Sequence, residues 1–193
     1  MAIATISGSQ GQGKSTVLNT LAGMNYSVVE RKTSRSILKE WDMTLGEVNR
    51  HPPTTRYFQE EVLKRHIESM KPLIQDEQLH FMERSFADIF TYAVLAIGSF
   101  NEYNDWMEDY YEQCVEAQSK FHSVYHLTGR TFVPQEDGVR STNRFNSEIV
   151  DREILIRLKE MDEKIGKGQL LSISFTNNEE RVHTILRNCC GVD

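Results

Sequence analysis

The segment SGSQGQGKST, residues 7–16, gathers glycines, a lysine and hydroxyl side chains directly after a short apolar run. Gly8, Gly13, Lys14 and Ser15 satisfy the spacing G-x-x-x-x-G-K-[ST]. In that loop, backbone N–H groups converge on phosphate oxygens at the positive end of a helix, and glycine supplies the tight backbone. Across Gly8, Gln10, Gly11, Gln12, Gly13, Lys14, Ser15 and Thr16 the pattern predicts a cradle for a nucleoside triphosphate. Lys14 would neutralise the β and γ phosphates, and Ser15 would ligate Mg²⁺.

Such a loop needs a strand before it and a helix after it. AIATIS at 2–7 and YSVVE at 26–30 read as strands, separated by a helical KSTVLNTLAG. SRSILKEW is a short helix, the paired prolines Pro52 and Pro53 mark a break, and apolar positions Tyr57, Phe58, Val62 and Ile67 predict an amphipathic helix from Thr54 to about Met70. LHFMERS at 79–85 reads as a buried strand, followed by an apolar helix FADIFTYAVLAIG and a long acidic helix over 101–120. HSVYHL at 122–127 and LLSISF at 170–175 are two more strands, with a turn-rich stretch and a helix from Arg144 to about Lys164 between them. Alternating strands and helices imply an α/β, three-layer fold with a five-stranded, mainly parallel sheet. In such sheets ligands collect at the carboxyl ends of the strands.

Composition sets the limits around that site. With 193 residues, 39% hydrophobic and 26% charged, the chain is globular and long enough for one sizeable core, so we expect one domain over 1–193. YAVLAIGSF at 92–100 falls well short of the ~18 apolar residues of a membrane span, and the N-terminus lacks a basic leader, which points to the cytoplasm. Cys114, Cys189 and Cys190 are odd in number and two are adjacent, which argues for reduced thiols. No His or Cys lies at zinc-ligand spacing. The net charge of −6 gives no support to a nonspecific nucleic-acid binder.

A motor ATPase would end a strand in Asp-Glu, and a GTPase would carry N-K-x-D; no predicted strand ends in that pair, and N-K-x-D does not occur. The third strand ends instead in Glu83-Arg84-Ser85, and MERSFADIFTYA resembles the element that follows this strand in thymidylate kinases and ribosylnicotinamide-kinase-like proteins. The ERS triplet is similar to that of deoxynucleoside kinases, EDGVRSTN at 136–143 resembles their lid, and LLSISFTNNEERV resembles their last strand and the turn into the final helix. The ordered set resembles the P-loop nucleoside and nucleotide kinase superfamily, in the small form often encoded by bacteriophages. The resemblance implies a P-loop NTPase fold with a mobile lid at about 128–145, ATP and Mg²⁺ as cofactors, and the host cytoplasm if the chain is phage-encoded.

It also implies roles. Glu83 would hold Mg²⁺, and Arg84 would reach the acceptor oxygen or the transferred group. Arg140 and Arg144, with Arg130 in reserve, are candidate lid arginines. Glu30, at the end of the second strand, occupies the place of the carboxylate that takes the acceptor's proton. Arg31, Lys32 and Arg35 follow it and suit an acceptor that already carries phosphate, either a monophosphate or a DNA backbone, although such cations also form ordinary solvated faces. Arg84, Ser85 and Asp88 share one approach to the acceptor, and Phe86, Phe90, Tyr92 and Trp106 are stacking candidates that helical spacing assigns equally to the core.

Three readings follow. The first is a kinase acting on a nucleoside or nucleotide. The second is a DNA kinase acting on 5-hydroxymethyluracil bases in phage DNA during thymine hypermodification. The third is a non-catalytic ATP-binding module. The apolar helix at 86–98 also offers a surface for a homodimer.

Overall fold

The computed structural model describes residues 2–29, 34–129 and 143–191. Five strands form one parallel sheet: β1 (Ala2–Ser7), β2 (Ser27–Val28), β3 (Leu79–Glu83), β4 (Ser123–Leu127) and β5 (Leu170–Ile173), in the spatial order β2-β3-β1-β4-β5. β1 lies at the centre, with Ile6 opposite Glu83 on one side and Ser7 opposite His126 on the other. Its residues Ile3 to Ser7 are all buried, as a parallel strand covered on both faces requires.

The helices divide between the two faces. α1 (Lys14–Gly23) and α8 (Asn178–Cys190) bury Val17, Leu18, Leu21, Val182, Ile185 and Leu186 against Ala4, Ile6, Phe81 and Tyr125. On the other face, α4 (Pro52–Met70), α5 (Phe86–Ile97), α6 (Asn104–Gln118) and α7 (Arg144–Ile165) enclose Ile3, Met82 and Val124. Ile3 faces one layer while Ala4 and Ile6 face the other, the period-two alternation of a strand. α2 (Ser34–Trp41), α3 (Leu45–Asn49) and part of α4 make a satellite core of Ile37, Leu38, Val48 and Phe58.

Some sequence expectations needed adjustment. Pro52 and Pro53 do not precede the amphipathic helix but form its first turn, where proline's missing N–H leaves no intrahelical bond unmade. β2 pairs over only two residues rather than five. The acidic segment enters α6 through a 3₁₀ turn at Asn101–Tyr103. α3 was not anticipated, although Thr44 and Glu47 form a reciprocal capping box at its start. No helix among the described residues is long and apolar enough to cross a membrane. This topology brings the carboxyl ends of β1, β3, β4 and β5 to one edge, with the glycine-rich loop leaving β1 at the centre.

Candidate active site

The loop between β1 and α1 takes its shape from glycines at positive φ: Gly8 at 129°, Gly11 at 82° and Gly13 at 82°. A Cβ on Gly8 would sit 2.9 Å from the Leu127 carbonyl oxygen, so the first glycine is required by close approach as well as by conformation. Gly13 caps α1 without a side chain and makes no side-chain cap bond, which leaves the helix start accessible to an anion. Lys14 is buried and curls over the loop, its Nζ donating to the carbonyls of Gly8 (2.9 Å) and Ser9 (2.8 Å). Ser15 and Thr16 are exposed in the first turn of α1.

Asp88 ties this loop to the end of β3. Its Oδ2 accepts from the Ser85 N–H (2.8 Å), the Ser85 hydroxyl (2.6 Å) and the Ser7 hydroxyl (2.5 Å), while Oδ1 accepts from the Gly8 N–H (3.2 Å). Ser85 and Asp88 are thus the N-cap and N3 residues of a capping box on α5, both fully buried. The geometry turns Asp88 toward the phosphate loop and commits both its oxygens there. Its place beside Ser85 is as expected, but the side it faces is not.

Arg84 lies between β3 and α5 with φ at 70°, a left-handed conformation that non-glycine residues rarely adopt. Four contacts hold it there: its N–H donates to Ile6 O (2.8 Å), its carbonyl accepts from Thr5 Oγ1 (2.7 Å) and faces His66 Nε2 (3.2 Å), and its guanidinium lies over the Tyr92 ring (4.8 Å). Strain maintained this way recurs at functional sites. Among the described residues the buried Arg84 Nε has no hydrogen-bond partner. Burial works against its charge, but Tyr92, Asp88 and Glu83 outweigh that and hold its pKa above the ordinary arginine value.

Among the remaining candidates, Glu83 ends β3 beside the loop and Arg35 is exposed on α2. Glu30, Arg31, Lys32, Arg130 and Arg140 lie outside the described residues, as does the side chain of Arg144, whose backbone opens α7. Of the aromatics, Phe86 and Phe90 are core residues, and only Tyr92 borders the site, beneath Arg84. Trp106 packs on Tyr110 and donates to Glu60 Oε1 (2.8 Å), which places it in an outer helix seam.

Three residues that sequence reasoning passed over touch the loop or its surroundings. Asp151 of α7 accepts the Ser9 N–H (3.1 Å), and its Oδ1 lies 3.4 Å from Nε2 of the fully buried His126 at the end of β4. Burial raises the Asp151 pKa, but the facing His126 and the Ser9 N–H more than offset it, and the carboxyl titrates below its ordinary range. Arg181 of α8 is almost wholly buried and, among the described residues, donates only to backbone carbonyls: Gln12 (2.6 Å), Thr128 (2.9 Å), Gly129 (3.2 Å) and Phe175 (2.5 Å). No local motif marks either contact, because the partners are far apart in the chain.

With this geometry in place, the relatives can be compared. The family model described as an AAA domain matches residues 4–163. The chain belongs to that AAA-domain family. No curated protein matches it. Among solved structures, the NadR protein in complex with NR superposes with a TM-score of 0.65 at 12% identity, covering 100% of this chain and 51% of that one. The chain therefore spans about half the length of NadR. Deoxyadenosine kinase from M. mycoides with bound dATP gives 0.58 at 15% identity over 96% and 98% of the two chains. Thymidylate kinase from Ehrlichia chaffeensis gives 0.57 at 12% identity over 95% and 98%. Within the family, then, the fold is that of the P-loop nucleoside and nucleotide kinases.

The donor set at the loop suits a hard cation. Ser15 offers a hydroxyl and Glu83 a carboxylate, and no cluster of three or more His, Cys, Asp or Glu able to hold a metal exists among the described residues. One or two protein oxygens completed by phosphates and water is the mode that Mg²⁺ favours over a dedicated protein cage.

Proposed function

We propose that the protein transfers the γ-phosphoryl group of ATP to a nucleoside or nucleotide. The observation that carries this reading is the convergence of the Lys14 loop and the strained Arg84 at adjacent strand ends, coupled through Asp88. Phosphoryl transfer needs positioning and charge neutralisation more than covalent chemistry, and this edge concentrates both. Lys14 would pair with the β and γ phosphates, and the start of α1 would hold their oxygens. Ser15 and Glu83 would hold Mg²⁺, which neutralises charge developing on the phosphates. Arg84 would reach the acceptor or the moving group, its left-handed backbone holding it at the end of β3. Glu30 would take the acceptor's proton, and Arg140, Arg144 or Arg130 would close from the lid.

The bound ligands of the NadR and deoxyadenosine kinase structures, NR and dATP, support the acceptor class. The cations Arg31, Lys32 and Arg35 favour an acceptor that already carries phosphate, so monophosphates and 5-hydroxymethyluracil DNA belong in the same screen. The test is ADP release from Mg-ATP across nucleosides, monophosphates and that DNA. Lys14→Ala should lower turnover by about 10²- to 10³-fold. Labelled DNA with no small-molecule product would move the acceptor to the polymer. No turnover with any acceptor, together with biological activity that survives Lys14→Ala, would leave a non-catalytic module.

A further inference from the structure

Arg181 is a buried cation with an unusual set of partners. Its side chain points back from the first turns of α8, as helical side chains do, into the space between three chain segments. Its guanidinium donates to Gln12 in the phosphate loop, to Thr128 and Gly129 where the chain leaves β4, and to Phe175 where it leaves β5. Among the described residues no carboxylate pairs with it. Burial lowers its pKa, yet an arginine at neutral pH stays charged.

The Gln12 contact has a direct consequence for anion binding. In a planar trans peptide the C=O and the following N–H point in opposite directions. A guanidinium holding the Gln12 carbonyl therefore turns the Gly13 N–H to the opposite side of the peptide, away from Arg181. A charged donor on the carbonyl also polarises the peptide, which strengthens its N–H as a donor. Meanwhile the same fork fixes the exits of β4 and β5, which lie on one side of the loop. A buried cation satisfied only by carbonyls is costly to maintain, and an anion on the far side of the polarised peptide offsets that cost.

We infer that Arg181 is a positioning residue for the nucleotide: it aims the Gln12–Gly13 peptide at phosphate and holds the β4 and β5 exits beside it. The inference rests on the nucleotide-site part of the reading above and not on the identity of the acceptor. A lysine at this position keeps the charge but has no planar fork to span three segments, and a methionine keeps most of the bulk but neither charge nor fork.

The test combines binding and NMR on the full chain. ATP and inorganic tripolyphosphate are titrated into wild type, Arg181→Lys and Arg181→Met, with circular dichroism to establish folding and the Gly13 amide resonance followed in each. The expected result is a Kd weakened about tenfold or more in the methionine variant and less in the lysine variant, since a charge-assisted hydrogen bond is at stake. The loss should be the same for both ligands, because it acts on phosphate and not on the base. The Gly13 amide should shift on ligand addition in wild type and lose that response in the methionine variant. A role confined to packing would lower the melting temperature and leave the Kd of the folded protein unmoved, which overturns the inference. If the methionine variant does not fold, the wild-type resonance decides: a Gly13 amide indifferent to tripolyphosphate that binds the loop overturns it as well. Wild type that binds ATP but phosphorylates no acceptor removes the kinase reading and leaves Arg181 in its role; wild type that binds no triphosphate removes both.

Discussion

The phosphate loop is held from two sides by opposite charges. Where it leaves β1, carboxylates hold its N–H groups: Asp88 takes Gly8 and Asp151 takes Ser9. Where it enters α1, the guanidinium of Arg181 holds its Gln12 carbonyl. The difference separates two tasks within one loop. Its first two amides are spent on the protein itself and fix the position of the loop relative to α5 and α7. Of its later peptides, the one between Gln12 and Gly13 has a carbonyl-side anchor, which turns its N–H away from Arg181. A loop pinned only through its N–H groups would be rigid but would have no donors left for phosphate. One pinned only through carbonyls would have donors but no fixed relation to Arg84 and Ser85, which lead into α5.

Breaking the carboxylate side should have the largest effect. Each carboxylate oxygen of Asp88 accepts a backbone N–H, so Asp88→Asn places an amide nitrogen against a group that can only donate, and we expect a loss of about 3 kcal/mol in urea unfolding, together with a raised KM for ATP. A stability loss without any change in KM would mean that Asp88 only caps α5. Gly8→Ala forces a Cβ against the Leu127 carbonyl at a φ of 129° and should cost about 2 kcal/mol. It tests whether the start of the loop tolerates movement: an unchanged melting temperature would show that the β1–β4 spacing adapts.

Asp151→Asn should have the smallest effect, about 1 kcal/mol at pH 7, because the Ser9 N–H keeps an oxygen acceptor. Its pH dependence follows from the direction of the shift. A carboxyl whose folded pKa is depressed contributes stability that is present above its unfolded pKa and lost as pH falls through the folded one. The stabilities of wild type and variant should therefore converge in acid, below the ordinary carboxylate range. A gap that persists there would assign the effect to packing and not to charge.

Much of this was legible along the chain. The glycines, Lys14 and the start of α1 are a local pattern, and local bonds suffice to form it. The capping box of Ser85 and Asp88 spans four residues and is equally readable, yet the sequence places Asp88 with the acceptor because nothing local reveals that Ser7 and Gly8 also reach it. The capping box of Thr44 and Glu47 was also present in the sequence but went unread, since a five-residue helix has too little periodicity to announce itself. Pro52 and Pro53 were seen, but a break and a helix start leave the same trace.

The sequence alone determined the order of the five strands and of the helices other than α3, the phosphate loop and the strand end carrying Glu83 and Arg84, because each depends on residues within a few positions of one another. Tertiary structure alone decided which groups hold that loop in place. Asp151 lies 142 residues from Ser9, and Arg181 lies 169 from Gln12. Those contacts exist because parallel strands return every carboxyl end to the same edge, so a helix late in the chain meets a loop formed at its beginning.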